Sequence, residues 1–114
     1  MKGIGGSTKG IIQVRTSGGR NAINEIEVVW EDVQTLYGWL DLDQGEAFYS
    51  KYYNKTQEST HIFIADYVKL DSRITTGNSR MIIDGKMYDI MVIDNPMGMK
   101  EGSHFEIYLK YTGG

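Results

Sequence analysis

Two histidines, one short acidic run and a glycine-rich start are the places where this chain could do chemistry. His61 and His104 lie far apart, and neither stands in a metal-ligand motif or beside a partner at catalytic spacing. A packing or interface histidine is the reading for His61. Asp41, Asp43 and Glu46 form the one tight acidic cluster, at a strand end where carboxylates are solvated or hold at most a weakly bound cation. Gly5-Gly6-Ser7-Thr8-Lys9-Gly10 has the composition of a phosphate loop without its order. The Gly-Lys-Ser/Thr sequence is missing, and no strand precedes it. The chain has no cysteine, which excludes disulfides, thiolate metal sites and cysteine nucleophiles and fits a reducing cytoplasm. No nucleophile elbow, zinc motif or dinucleotide fingerprint occurs. The residues therefore point to no catalytic site, no metal and no cofactor.

Composition directs attention to surfaces. The 114 residues suit one domain with a single modest core, and the apolar share is that of a folded protein. No apolar run is long enough to span a membrane, and the first residues lack the apolar core of a signal peptide, so no membrane partner is expected. A net charge of -3 argues against general nucleic-acid binding, which needs clustered Lys and Arg. Eight tyrosines and two tryptophans are many for this length; such residues favour strands and protein interfaces.

The elements that would carry these surfaces are strands. Residues 1–9 read as a flexible arm, Ile11 to Thr16 as a first strand, and Ser17 to Asn21 as a turn. Ile26, Val28 and Trp30 alternate with Glu25 and Glu27, a pattern for a strand with one wet face. The alternation breaks at Trp30-Glu31-Asp32-Val33, as at a β-bulge. It resumes with Leu36, Gly38, Leu40 and Leu42 on one face and Thr35, Tyr37, Trp39 and Asp41 on the other. Gly38 among leucines suggests a close backbone approach. Tyr37 and Trp39 are either cross-strand packing partners or contacts for a neighbouring subunit. Ser59 to Tyr67 alternates Ile62 and Ile64 against His61, Phe63, Ala65 and Tyr67; Leu40 and Ile62 are taken as core positions. Asp84-Gly85 between apolar runs is the signal of a two-residue type I′ hairpin. The last strand runs from Phe105 to Tyr111. Between the two best strands lies the connection 43–58, in which Phe48 with Tyr52 and Tyr49 with Tyr53 have helical i,i+4 spacing. The expected fold is all-β: a small six-stranded β-barrel, with one long connection carrying a short helix that caps the barrel or orders against a partner.

Order and spacing across most of the chain resemble a known family. Trp30-Glu31-Asp32-Val33, Trp39-Leu40-Asp41-Leu42 and Gly45-Glu46 are similar to the "W-x-D-V", "v-W-A-x-I" and "s-G-x-E" of the phage head-tail adaptors. Glu58 to Ile64 is similar to their "E-x-T-H-x-v-x-I", and Arg80 with Gly85 to Ile90 resembles "R-x-x-x-x-G-r-x-Y-d-I". The chain departs from the pattern at Leu40, where the family has alanine, and in the tyrosine content of its connection. The resemblance implies a head completion protein, the stopper or head-closure subunit of a tailed bacteriophage virion, assembled in the host cytoplasm. Such proteins are small barrels that form a homo-oligomeric ring beneath the portal and its adaptor. They close the exit channel on the packaged double-stranded DNA without reading its sequence, and they present the surface to which the tail or tail terminator docks.

The family's channel loop corresponds here to residues 43–58, which places Asp43, Gln44, Glu46, Phe48, Tyr49, Lys51, Tyr52, Tyr53 and Lys55 in a gate-like loop. Trp30, Tyr37, Trp39 and His61 are this sequence's own candidates for the subunit interface. The mixed charge of the loop would avoid gripping DNA that must later pass. Two other readings compete. A single-strand nucleic-acid-binding barrel would use Tyr37, Trp39, Tyr49, Tyr52 and Tyr53 as stacking platforms, against an acidic balance. A small hydrolase or metal-binding domain would centre on His61 and the acids near Asp41.

Overall fold

The computed structural model describes residues 6–20, 22–42, 59–95 and 104–113. Six strands form in chain order: β1 (Thr8–Arg20), β2 (Ile26–Leu42), β3 (His61–Asp66), β4 (Ser79–Ile83), β5 (Lys86–Asp94) and β6 (His104–Gly113). They close into an antiparallel barrel in the order β1-β2-β3-β6-β5-β4, so the expected all-β barrel is what the chain forms. The short helix expected within 43–58, and the gate-like loop itself, lie outside the described residues.

Alternation supplies the core. Ile12, Phe63, Met81, Ile90, Phe105 and Ile107 have essentially no exposed surface and meet inside the barrel. Each such side chain stabilises the fold by roughly 1.5 to 3 kcal/mol relative to exposure. Closure comes from β1 pairing with β4 from Gly10↔Ile83 to Val14↔Ser79, which removes the sheet edges over that span. A register shift opposite Ile12 and Gln13 leaves Val33 as the extra residue of β2, so the bulge falls where the alternation breaks. At Asp84-Gly85 both residues have positive φ, 54° and 79°, as a type I′ turn requires. Gly38 is buried where β2 meets β3, and a Cβ there would overlap the Ile64 carbonyl oxygen.

The structure corrects several expectations. The first strand is not confined to Ile11–Thr16: it takes in Thr8 and Lys9 from the expected arm, and Ser17 to Arg20 from the expected turn. The reason is register, because Thr8 pairs with Gly38 and Arg20 with Ile26, with a bulge around Gly18 and Gly19 absorbing the glycines. On β3 the inward side is Phe63 and Ala65, and Ile62 is only half-buried. Phe63 stands between Leu40 and Ile107 on the neighbouring strands, and that pairing selects its face. Leu42 shares the face of Leu36 and Gly38 but is 58% exposed, since β2 runs on to the barrel rim. The segment from Ile26 does not have one dry face. Ile26, Val28 and both flanking glutamates face water: the bulge at Val33 puts Ile26 and Val28 on the outer side with Trp30, and the opposite side, with Glu27 and Val29, has only β1 for a neighbour and no barrel beneath it.

Candidate assembly interface

Antiparallel pairing sorts the functional segments to opposite ends of the barrel. Leu42 pairs with His61, so the connection 43–58 leaves and re-enters at one end. The Asp84-Gly85 turn, the start of β1 and the end of β6 share that end. The far half of the β1–β2 ribbon, the connection from Tyr67 to Asn78 and the ends of β3 and β5 lie at the other.

At the connection end the barrel mouth is partly filled by rings. His61 meets Tyr88 edge-on at 5.1 Å, and Tyr88 meets Tyr111 at 5.5 Å. Burial pushes the Tyr88 phenol up from its ordinary value, with smaller contributions from Tyr111 and Asp84, so it remains a neutral packing group. Thr60 ties the last turn together: its hydroxyl accepts from the Tyr111 N–H at 2.7 Å and lies 2.8 Å from His61 Nδ1. A recess of about 650 Å³ opens beside these rings, lined by Thr8, Lys9, Leu40, Asp84, Lys86 and Tyr88 among others. The mouth is thus a packed rim around the point where the connection emerges. Of the proposed gate residues, Asp43, Gln44, Glu46, Phe48, Tyr49, Lys51, Tyr52, Tyr53 and Lys55 lie outside the described residues. So do Asp43 and Glu46 of the acidic cluster. Among the described residues no group of three His, Asp or Glu is arranged to hold a metal ion.

The four interface candidates do not share one surface. Tyr37 and Trp39 stand on the outer barrel face, 57% and 55% exposed, with Ile64 beside Trp39 on β3. Trp30 is also on the outer side but is half-buried under the Arg80 guanidinium, which sits 4.1 Å from its ring centre. Gln13 fixes that arginine: its amide nitrogen donates to Asp32 at 2.7 Å and its oxygen accepts from Arg80 at 2.8 Å. Trp30 is therefore a rigid, cation-capped ring. His61 points to the inner side of the rim, against Tyr88, away from Tyr37 and Trp39.

A second polar cluster escaped sequence reasoning. Gln34, next to the bulge, donates to the Lys69 carbonyl and accepts from the Asp71 N–H at 2.7 Å. Arg73 then pairs with Asp71 at 2.9 Å and with Glu31 at 2.6 Å. The hydrogen bonds from Arg73, first through its side chain and then through its backbone N–H, hold the Asp71 carboxyl at about 2. The side-chain hydrogen bonds to Asp71 and then to Glu31 push the Arg73 guanidinium up from its ordinary value. Together they strap the connection 67–78 to β2. The residues involved are forty or so apart in sequence, and no local pattern marks such a clamp.

The exposed ribbon also went unseen. Its sequence signal is that Ile23, Ile26, Val28 and Val29 offer apolar groups on both faces, opposite a β1 segment of Ser, Gly and Arg that cannot cover them.

No protein-family model matches this chain, and no curated protein sequence matches it. Among solved structures, the fold is similar to a chain of the virion of a native gene transfer agent particle, with a TM-score of 0.54. The superposition covers 93% of this chain and 94% of that one at 8% sequence identity. What the two chains share is the fold.

Proposed function

We propose that this chain is a structural virion protein: a ring subunit of the phage head-tail connector that closes the DNA exit channel after packaging and presents the surface for tail docking. The observation that carries the reading is the fold shared along nearly the whole of both chains with a component of a virion particle. The sequence motifs that resemble the head completion proteins point the same way. The architecture is suited to the role. A closed barrel with a packed core gives each subunit a rigid body, and outward-facing Tyr37 and Trp39 offer the aromatic contacts that protein interfaces favour. The long connection springs from one rim, where a ring of subunits would direct it into the channel. Its partners in this reading are other copies of the chain, the adaptor beneath the portal, the tail or tail terminator, and the DNA held in the channel. The role is architectural, without a catalytic step or cofactor.

Complementation of a phage lacking this protein tests the reading, with full heads and tailed particles scored separately. Deleting Ser50 to Lys55 should leave the barrel folded, because shortening a long loop changes stability little, while packaged heads lose their DNA. Full, infectious particles from the deletion variant would remove the gate from 43–58. If the aromatic barrel instead bound single-stranded nucleic acid, oligonucleotide titration would show tight, salt-dependent binding. With acids such as Asp41 and Asp66 on the strands around Trp39, none is expected.

A further inference from the structure

We propose that the far half of the β1–β2 ribbon is an assembly clasp, whose outer face packs on the outer barrel face around Tyr37 and Trp39 of a second copy of this chain. It rests on the ring reading for its biological setting, but the contact itself concerns two copies and nothing else.

The ribbon leaves the barrel because its neighbours stop. Pairing of β4 with β1 ends at Val14, and pairing of β3 with β2 begins only at Gly38. Beyond those points residues 15–20 and 26–31 have each other and, among the described residues, no third strand. About six residues per strand give an arm of roughly 20 Å, consistent with a long axis of 52 Å against 29 and 25 Å across. A two-stranded ribbon is marginal in water by itself and offers open edges to other chains. This one adds apolar surface: Ile26 is 60% exposed and Val28 56%. Exposed β-branched residues on an open-edged ribbon favour a covered state.

The choice of occupant follows from charge and position. Directly paired residues share a face, so Arg15 opposite Trp30, and Arg20 opposite Ile26, frame the apolar outer face of the arm with positive charge. On the barrel, Tyr37 and Trp39 are followed along the outer face of β2 by Asp41, with Asp66 two residues beyond Ile64 on β3. Lys9 stands beside Tyr37 at the other margin. An apolar centre with an arginine toward each end thus meets an aromatic centre with an aspartate at each end, Asp41 beyond Trp39 and Asp66 past the Gly38↔Ala65 pair on the Tyr37 side. The two surfaces are separate patches of one chain, so the contact is head-to-tail. Every copy can give its arm to one neighbour and receive the arm of another, the arrangement that closes rings.

The absence of cysteine makes the test direct. Val28→Cys and Trp39→Cys variants, both at exposed positions, are mixed at high concentration, mildly oxidised and resolved on a non-reducing gel, after each variant's thermal melt has been checked. The expected product is the mixed disulfide dimer, with little product from either variant alone. Arg20→Asp in the Val28→Cys background should lower the yield several-fold, and Asp41→Arg in the Trp39→Cys background should restore it. Absence of the mixed dimer overturns the proposal. So does a yield no greater than that of Val28→Cys with Asp89→Cys, at an exposed position on β5 across the barrel from β2, or a dominant dimer of Val28→Cys alone, which would mean that arms pair with arms. Because the readout is on the isolated chain, its failure leaves head closure standing. Failure of complementation would likewise leave the contact standing.

Discussion

Replacing Gly38 with alanine should damage the barrel far more than its single added methyl group suggests. The new Cβ would overlap the carbonyl oxygen of Ile64 and lie 3.0 Å from the Ile64 carbonyl carbon and 3.1 Å from Ala65 Cα. All three are backbone atoms of β3, so no side chain can rotate away, and β2 and β3 must separate at the first of their paired residues, Gly38↔Ala65. Overpacking a tight interior costs typically about 1 to 3 kcal/mol, and a rigid backbone obstacle puts this case at the upper end or above. For a domain of this size about 3 kcal/mol lowers the melting temperature by roughly 10 °C. The assay is thermal and urea unfolding of the variant beside Gly77→Ala, where an added Cβ meets nothing within 4 Å and the backbone is not left-handed. Gly77→Ala should melt within about 2 °C of the parent protein, since a loop alanine also restricts the unfolded chain. A Gly38→Ala protein as stable as Gly77→Ala would refute the close approach and, with it, the register of β2 on β3.

The inward face of β3 is tested by a pair: Phe63→Ala should cost about 3 to 5 kcal/mol, whereas Ile62→Ala, one residue away and half-buried, should cost clearly less in the same urea unfolding experiment. Gly85→Val should destabilise the β4–β5 hairpin by about 1 to 3 kcal/mol because a β-branched residue must take a φ of 79°; an unchanged melt would exclude the type I′ turn. Asp71 has a carboxyl held at about 2 against an ordinary 3.8, so the unfolded chain protonates first as pH falls. Its stabilising contribution is complete above about pH 4 and is lost as pH falls through about 2. The stability gap between the parent protein and Asp71→Asn should close over that window, and a gap independent of pH would separate Asp71 from its arginine.

Much of the barrel is written in short stretches of the chain. Asp84-Gly85 between apolar runs can make little other than a tight hairpin, since positive φ at both positions is acceptable there and the flanking runs must pair. The broken alternation at Trp30 to Val33 marks the bulge because one extra residue is what moves a strand's apolar set to its other face. Gly38 among leucines marks the closest approach of two strands for an equally local reason: it alone brings no Cβ. The inward face of β3 is not local. Ile62 and Ile64 are as apolar as Phe63 and Ala65, so period-two alternation gives the same signal for either face. Pairing of Phe63 with Leu40 and Ile107 settles it. The clamp of Gln34 and Arg73 on the connection 67–78 joins residues some forty positions apart, which only the tertiary fold brings together. The exposed arm is likewise a tertiary result. An alternating strand announces that it has an apolar side, but which way that side faces depends on the strand's register with its neighbours. Here the bulge at Val33 turns Ile26 and Val28 to the outer side with Trp30, and β3 and β4 stop before the arm, so both of its faces stay in water.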